Sequence, residues 1–171
     1  ASSVGWKAGK KIGSFHTGTV AVKSGRIETD AKGKVKAAQV SVDMTAISNE
    51  DLKEMPSMQT KLVGHLSSDD FFKVGQFPES TFTLTKVEPK AGSKDEFTAT
   101  GDLTLIGKTV PVTFPAKISV SQGQVSVSAT LTLERLKWGL QYGSGSIFKT
   151  LTADKIINDS FDLTLNLVAK K

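Results

Sequence analysis

The sequence predicts an all-β fold, an eight-stranded antiparallel barrel with a short helical excursion between strands three and four. Apolar residues alternate with polar ones in eight separate runs, short turns join most of these runs, and 15 glycines stand against 5 prolines. Eight strands with short connections favour a closed barrel over an open sheet, because closure removes unpaired strand edges. At 171 residues and 38% hydrophobic residues, we expect a single domain over 1–171 with a normal core.

The strands are predicted from period-two alternation between turn signals. Alternation is clearest in the third strand, where Val40, Val42 and Met44 share one face and Ser41 and Asp43 the other. In chain order the predicted strands cover 3–8, 12–24, 35–47, 80–88, 96–106, 109–121, 124–135 and 156–169.

The helical excursion is predicted from caps and from helical spacing. Ser48, with Asp51 three residues on, has the form of a capping box, and Pro56 then interrupts the segment. The spacing of Met58, Leu62 and Leu66 predicts one face of a following helix.

A second cap at Ser67 or Ser68 is expected to open a short turn, where Asp69 and Asp70 suit the positive end. The phenylalanines that follow, Phe71, Phe72 and Phe77, are expected to plug or line one end of the barrel. The stretch 65–82 is therefore interpreted as a lid.

Two turns predict the register of strands five to seven. Ile106-Gly107-Lys108-Thr109 and Ser121-Gln122-Gly123-Gln124 each have the form of a two-residue hairpin. Both hairpins put the same face of strand six inside, and a one-residue slip would bury polar side chains instead. The predicted partners are Leu105 with Val110, Leu103 with Val112, Gly101 with Phe114, Ala99 with Ala116 and Phe97 with Ile118, then Val120 with Val125, Ile118 with Val127, Ala116 with Ala129, Phe114 with Leu131, Val112 with Leu133 and Val110 with Arg135.

The predicted inner face carries a row of small residues. Ala99, Ala116 and Ala129 would lie side by side, with Gly101 beside them, and a wall of so little volume favours an internal ligand. In the alternative, large side chains opposite, including Phe161, Leu163 and Leu165, fill this space as a packed core. The residues expected to line the ligand tunnel are Phe71, Phe72, Phe82, Leu84, Phe97, Ala99, Gly101, Leu103, Phe114, Ala116, Ile118, Ala129, Leu131 and Leu133.

Arg135 is the charged residue on the inner face of strands five to seven. With Trp138 and Tyr142 nearby, its guanidinium could hold the polar end of a greasy ligand. The alternative is that Arg135 pairs with Asp159 or caps loop carbonyls.

The residues for catalysis are sparse. The chain has no cysteine and two histidines, and neither His16 nor His65 has ligands at metal spacing beyond the Asp69 and Asp70 pair. His65 could act as a base in a hydrolase, yet no activated nucleophile accompanies it, so we expect no enzyme activity, no cofactor and no metal. No recognisable nucleic-acid-binding motif is present in the sequence, so we expect no nucleic-acid partner.

The net charge of +5 is concentrated at the start of the chain. Residues 1–37 carry eight lysines or arginines against Glu28 and Asp30. This region could make transient contact with an anionic membrane surface, although its lysines are scattered as on solvated strand faces. No apolar leader or membrane-spanning run is visible in the sequence, so we expect that an exported protein would have lost its signal peptide. The sequence does not predict the oligomeric state, and a homodimer is one alternative.

Three ordered motifs give a resemblance. HLSSDDFFKVGQFPESTF at 65–82, TGDLTLIGKTVPVTF at 100–114 and ERLKWGLQYG at 134–143 together resemble the YceI-like family in type, order and spacing. The N-terminal SSVGWKAGKKIGSFHTGTVAVKSG is similar to one branch of that family. Where many members carry Asp-Phe-Gly closely after the arginine, this chain has Lys137-Trp138-Gly139, and the loop 141–155 is an elaboration of one branch.

The resemblance implies a lipocalin-like barrel whose apolar tunnel binds a polyisoprenoid, an isoprenoid quinone or another long amphiphilic lipid. It also implies a periplasmic carrier or stress-response protein without a demonstrated reaction. An alternative function is a stress-associated interaction module with a filled barrel, whose loops at 141–155 bind a protein partner.

Overall fold

The computed structural model describes residues 1–170 and is a closed barrel of eight antiparallel strands in sequence order, with β8 paired to β1. The predicted fold is confirmed, including the helix between strands three and four. The elements are β1 (Ser3–Gly9), β2 (Phe15–Thr29), β3 (Val35–Asp43), α1 (Pro56–Ser67), β4 (Glu79–Pro89), β5 (Glu96–Leu105), β6 (Lys108–Ser121), β7 (Gln124–Glu134) and β8 (Ser160–Lys170), with 3₁₀ helices at Met44–Ala46 and Arg135–Trp138.

The two longest connections, 44–78 and 135–159, lie at one end of the barrel, which we call the lid end. The connections there cover 10–14, 44–78, 106–107 and 135–159. The opposite end has the shorter connections 30–34, 90–95 and 122–123 together with the first residue of β1 and the last of β8. Within residues 1–170, no helix is long and apolar enough to cross a membrane.

Two strands begin later than the sequence predicted. β2 begins at Phe15 rather than residue 12, because the amide of Lys10 donates to Ser14 O at 3.1 Å and closes a turn over 10–14. β8 begins at Ser160 rather than residue 156, because the preceding segment bonds to that turn instead, through Lys11 N to Ile156 O at 2.9 Å.

The helix α1 begins at Pro56, a position that suits proline because the first helical N–H has no intrahelical partner. The capping box predicted at Ser48 is wrong. Partners on β2 compete for its groups: Ser48 Oγ lies 2.8 Å from Thr19 Oγ1, and Asp51 Oδ1 accepts from Thr17 N at 2.8 Å. The predicted turn after the helix is confirmed, with Ser68 Oγ accepting from Asp70 N at 3.3 Å.

The register predicted for β6 and β7 is confirmed at their turn, where Val120 pairs with Val125 and Ile118 with Val127. The register predicted for β5 and β6 is wrong by two residues. The central turn residues are Ile106 and Gly107, both with positive φ, so Leu105 pairs with Lys108 and Ala99 with Phe114. A shift of two keeps every side chain on its predicted face but displaces the lateral row of alanines.

Pairing between β6 and β7 stops part way along the strands. Among the described residues, the ladder joins Lys117–Ser121 to Gln124–Ser128 and goes no further. The predicted pairs beyond it do not form: Ala116 with Ala129, Phe114 with Leu131, Val112 with Leu133 and Val110 with Arg135.

Two prolines account for this interruption. Ile118 N donates to Asp95 O on the β5 side at 2.9 Å, so even-numbered residues of β6 point their backbone groups at β5 and odd-numbered residues point theirs at β7. Pro111 and Pro115 are odd-numbered and have no N–H. β6 therefore lacks two donors on the side that faces β7.

Candidate functional site

A narrow apolar cavity of about 180 Å³ lies inside the barrel. Inward side chains from all eight strands form its wall, although β5 contributes only from the half nearest the lid end. Residues of the connections at the lid end complete the wall. The apolar residues that line it are Val4, Trp6, Ala8, Val20, Val40, Val42, Met44, Ile47, Leu66, Phe71, Phe72, Phe82, Leu103, Leu105, Val112, Phe114, Leu131, Leu140, Ile157, Phe161, Leu163, Leu165 and Leu167. The polar residues among the lining are Ser80, Thr81, Arg135 and Asn158.

The cavity is long as well as narrow. Along β8 its wall runs from Phe161 to Leu167, a distance of roughly 20 Å at the rise of a β-strand. An apolar cavity of about 150 Å³ holds a molecule the size of benzene. A space of similar volume drawn out along the barrel axis suits a linear chain better than a fused-ring ligand.

The lid, residues 56–78, covers one end of the cavity. Leu66, Phe71 and Phe72 line the cavity from this side, and Phe72 N donates to Leu66 O at 3.0 Å to close the turn after α1. Phe77 lies outside the cavity against the β5–β6 turn, where a Cβ on Gly107 would be 2.7 Å from its ring. The lid was predicted over 65–82, which begins within α1 and extends into β4 at Glu79; a covering role is consistent with the position of residues 65–78.

The segment before the lid is held against β2 at close range. Trp6 Nε1 donates to Ser48 O at 3.0 Å, and a Cβ at Gly18 would lie 1.9 Å from that same oxygen. Glycine is therefore required at position 18 by the approach of the backbone. A second buried cluster, Val20, Met44, Ile47 and Val74, fills the space beneath the lid on this side.

An aromatic cluster joins the lid to the β7–β8 loop. The ring of His65 packs edge-on against Phe71 at 5.0 Å and Tyr142 at 4.7 Å between centroids, and Phe71 lies 5.2 Å from Tyr142. His65 Nε2 is 2.9 Å from Asp70 Oδ2. These contacts of His65 hold the lid against the β7–β8 loop. Its carboxylate partner, Asp70, is exposed to solvent.

Arg135 is 4% exposed and borders the lid end of the cavity. Its Nε donates to Asn158 O at 2.9 Å, Nη1 to the carbonyls of Leu140 and Tyr142 at 2.9 and 2.7 Å, and Nη2 to Ile157 O at 3.1 Å and Asp159 Oδ1 at 3.4 Å. The five N–H groups of the guanidinium are thus all engaged. The alternative predicted from sequence, a pair with Asp159 together with capped loop carbonyls, is the arrangement observed.

Asp159 completes this anchor of the β7–β8 loop. Its Oδ2 accepts from Ser146 Oγ at 2.6 Å. Burial alone would raise the pKa of Asp159, but bonds from Ser146 and Ser144 and the charge of Arg135 outweigh it and hold the pKa below the ordinary value. Burial also lowers the pKa of Arg135, opposed by Asp159, and the guanidinium stays charged at neutral pH.

Trp138 is 2% exposed and packs in the main core cluster with Leu133 and Val112. Its Nε1 donates to Leu103 O at 2.9 Å. The side chain predicted to meet a ligand's polar end is thus a core residue that ties the β7–β8 connection to β5.

The predicted site residues divide into three groups. Seven line the cavity: Phe71, Phe72, Phe82, Leu103, Phe114, Leu131 and Arg135. Others pack into the adjacent core: Leu84, Ala99, Leu133 and Trp138 in the cluster, and Gly101 beneath the ring of Phe82, which would lie 2.4 Å from an added Cβ. The rest do not line the cavity. Ala116 belongs to the same buried cluster, Ala129 and Ile118 pack against it, and these three also border pockets at the barrel wall, as Phe97 does. Tyr142 lies on the outer side of the lid.

Sequence reasoning missed the half of the cavity formed by the first three strands. Val4, Trp6, Val20, Val40 and Val42 all line it. The alternation of these strands predicts an inner face, but only strands five to seven are joined by turns short enough to predict a register. The alternation Val40–Val42–Met44 could have assigned this wall without any register.

No group of three or more histidine, aspartate or glutamate side chains within residues 1–170 is placed to hold a metal ion. His16 Nδ1 lies 2.8 Å from Asp51 Oδ2. The other carboxylate oxygen, Asp51 Oδ1, accepts a hydrogen bond from Asn49 Nδ2 at 2.6 Å and so binds the loop. Each of the two histidines is therefore paired with an aspartate near the surface, and each pair joins two segments of the fold.

The fold and the cavity define a small antiparallel barrel with an apolar interior, an architecture consistent with lipid binding. The YceI-like domain matches residues 1–169, and the chain belongs to this family.

Relatives and solved structures agree with this assignment. A UPF0312 protein of Pseudomonas putida is 32% identical over 158 residues, covering 88% of this chain and 77% of the relative. Protein YceI of Shigella sonnei is 51% identical over 59 residues, 34% of this chain and 29% of that protein. The crystal structure of Burkholderia cenocepacia BcnA superposes with a TM-score of 0.75 at 22% identity, covering 99% of this chain and 96% of BcnA, and the Campylobacter jejuni YCEI protein superposes with 0.68 at 22% identity, covering 89% and 84%.

Proposed function

We propose that this protein binds one long-chain amphiphile in the barrel cavity and carries or sequesters it without chemical conversion. The ligand class is a polyisoprenoid, an isoprenoid quinone or a fatty-acid-like lipid. The observation that carries the proposal is the continuous apolar lining, which runs from Phe71 and Phe72 in the lid to Leu167 on β8.

Binding of such a chain would be mainly hydrophobic. At about 25 cal/mol per Å² of apolar surface, burying several hundred Å² of lipid contributes on the order of 10 kcal/mol before the costs of ordering and association. The cavity offers almost no hydrogen-bonding group along its length, so we expect discrimination by chain shape and thickness.

We extend this proposal to the compartment of the protein and to its contact with membranes. A carrier that shields a lipid chain from water is suited to the periplasm, where we place the protein, and the lysine-rich start of the chain could contact an anionic membrane briefly. The resemblance to exported stress-associated carriers supports both points.

A test replaces a cavity residue with a larger one. Val42→Phe should fill part of the cavity and abolish lipid uptake, with the barrel intact because the ring enters existing space. Val120→Phe is the matched control, since Val120 is 44% exposed on β6. Native mass spectrometry of protein purified from cells should show a co-purified lipid in the wild type and the control only. Wild-type protein that is always empty and takes up no added lipid would contradict the proposal.

A second candidate is an interaction module that uses the β7–β8 loop. Ile147 and Phe148 are adjacent in this loop and are 44% and 46% exposed, and neighbouring exposed apolar side chains suit a protein-binding surface. A protein partner retained on wild-type protein and lost on the Phe148→Ser variant, together with an empty cavity, would favour this candidate over lipid carriage.

A further inference from the structure

We propose that the interrupted seam between β6 and β7 is a lateral opening, through which the polar end of the bound amphiphile reaches solvent. The inference rests on the proposed function and adds the position of the head group. It begins from the two strands themselves, whose ladder joins only Lys117–Ser121 to Gln124–Ser128.

A pocket of about 670 Å³ lies where this ladder stops. Pro115 and Thr130, from outward positions of β6 and β7, line it together with Ala116 and Ala129, which alternate to the inside. Because residues of both faces border one space, the pocket reaches the gap between the two strands.

The pocket and the central cavity meet at Leu165. This β8 residue lines both spaces, so the two spaces approach each other at its side chain. Leu165 is only partly buried; it packs at the edge of the main core cluster and pairs with the small Ala129 across the β7–β8 ladder. In this proposal, a chain in the cavity reaches the seam by displacing the side chain of Leu165.

The two ends of this route differ in polarity. At the lid end, Arg135 is the charged residue that borders the cavity, and its five donors are engaged by the protein. At the seam, the outer rim holds two ammonium groups, Lys90 and Lys117, with Lys90 paired to Glu96 at 2.8 Å. Hydroxyl and amide groups complete the rim, from Thr98, Ser128, Thr130, Thr164 and Asn166.

A polar head group is thus better accommodated at the seam than beneath the lid. The volumes point the same way: the cavity of about 180 Å³ is small for a long lipid, whereas the two spaces together give a chain a path to water. The chemistry of the rim fits a head group that is anionic or accepts hydrogen bonds.

The first part of the test asks whether the seam is open. The natural chain has no cysteine, so single cysteines can be labelled specifically. Ala116 and Ala99 are matched, at 5% and 4% exposed and both on the inner face, but only Ala116 borders the side pocket. Ala116→Cys should react with a small water-soluble maleimide and be protected by oleic acid, while Ala99→Cys stays unreactive in the folded protein.

The second part locates the head group with oleic acid and oleyl alcohol as probes. Lys117→Glu should weaken oleic acid binding about fivefold, the size expected for a reversed charge at an exposed site, and leave oleyl alcohol unchanged. Lys11→Glu makes the same charge change at the lid end and should leave both probes unchanged. Circular dichroism verifies the fold of each variant.

The outcomes separate the two proposals. Equal protection of both cysteines from maleimide, or weaker oleic acid binding in Lys11→Glu rather than Lys117→Glu, overturns the lateral opening while lipid binding stands. Wild-type protein that binds neither probe overturns the proposed function, and the head-group position with it, even if Ala116→Cys is labelled.

Discussion

Arg135 donates to Asp159 Oδ1 at 3.4 Å across the base of the β7–β8 loop, and the other donors of the same guanidinium hold four backbone carbonyls of residues 140–158. This one side chain therefore replaces the regular hydrogen bonds that a loop of this length lacks. It connects the end of β7 to both ends of the loop beside the cavity.

Replacing this arginine should cost stability rather than head-group recognition. Arg135→Met leaves several buried carbonyls and Asp159 without their partner, and we expect a loss of about 3 kcal/mol in the free energy of unfolding. Urea unfolding followed by tryptophan fluorescence measures it. Lys137→Met is the matched control, since Lys137 is exposed two residues away, and should change stability by less than about 0.5 kcal/mol. A marginal effect of Arg135→Met would show that the loop does not need its anchor.

The acid side of the stability profile should depend on Asp159. Its pKa is lowered in the folded protein from an ordinary 3.8, so the folded state binds its proton less readily than the unfolded state. This contribution is complete above the ordinary value and is lost as the pH falls through the lower folded pKa. Urea midpoints recorded from neutral pH downward should fall less steeply for Asp159→Asn than for the wild type, and the two should converge in acid. Parallel curves would contradict the assignment.

The fold could be predicted from sequence because alternation and short turns are local signals. Gln122-Gly123 gave the correct register between β6 and β7, since both residues take the positive φ of a two-residue hairpin. Ile106-Gly107 is the same kind of turn, but an isoleucine with positive φ is uncommon, and the centre was placed one residue late. The error of two residues in pairing left the inner face correct and displaced the alanine row.

The site was less predictable, because it depends on contacts between distant segments. Trp138 and Arg135 have the composition of a ligand site, yet both are satisfied by backbone groups of distant segments, Leu103 and residues 140–158. The interruption at Pro115 had a signal in the sequence, a proline within a predicted central strand. Predicting that the pairing of β6 with β7 is interrupted also requires knowing that an N–H at position 115 would face β7, and this depends on the strand pairing.

The close approach of Ser48 to β2 gives a matched pair of glycine substitutions. Gly18→Ala places a Cβ 1.9 Å from Ser48 O, so the loop must move, and we expect a loss of at least about 2 kcal/mol with weaker protection of the 47–51 amides in hydrogen exchange. Gly64→Ala, in α1 with no described atom within 4 Å of its Cβ, should gain about 0.5–1 kcal/mol. Equal effects of the two substitutions would mean that the loop adjusts without cost.

Two alanines of the predicted row, Ala99 and Ala129, should respond differently to the same enlargement. Ala99 is 4% exposed in the packed cluster and borders neither the cavity nor the side pocket, so Ala99→Phe should overpack the core and destabilise the protein by about 1–3 kcal/mol or more. Ala129 packs at the edge of that cluster and borders the side pocket, so we expect a phenyl ring there to turn into the pocket and Ala129→Phe to fold with a stability within about 1 kcal/mol of the wild type. Thermal unfolding measures both, and oleic acid uptake by Ala129→Phe should fall because the ring closes the seam beside Leu165. Equal destabilisation by the two substitutions would show that the pocket at Ala129 is as tightly packed as the core at Ala99, and unchanged uptake by a folded Ala129→Phe would show that the ligand does not use the seam.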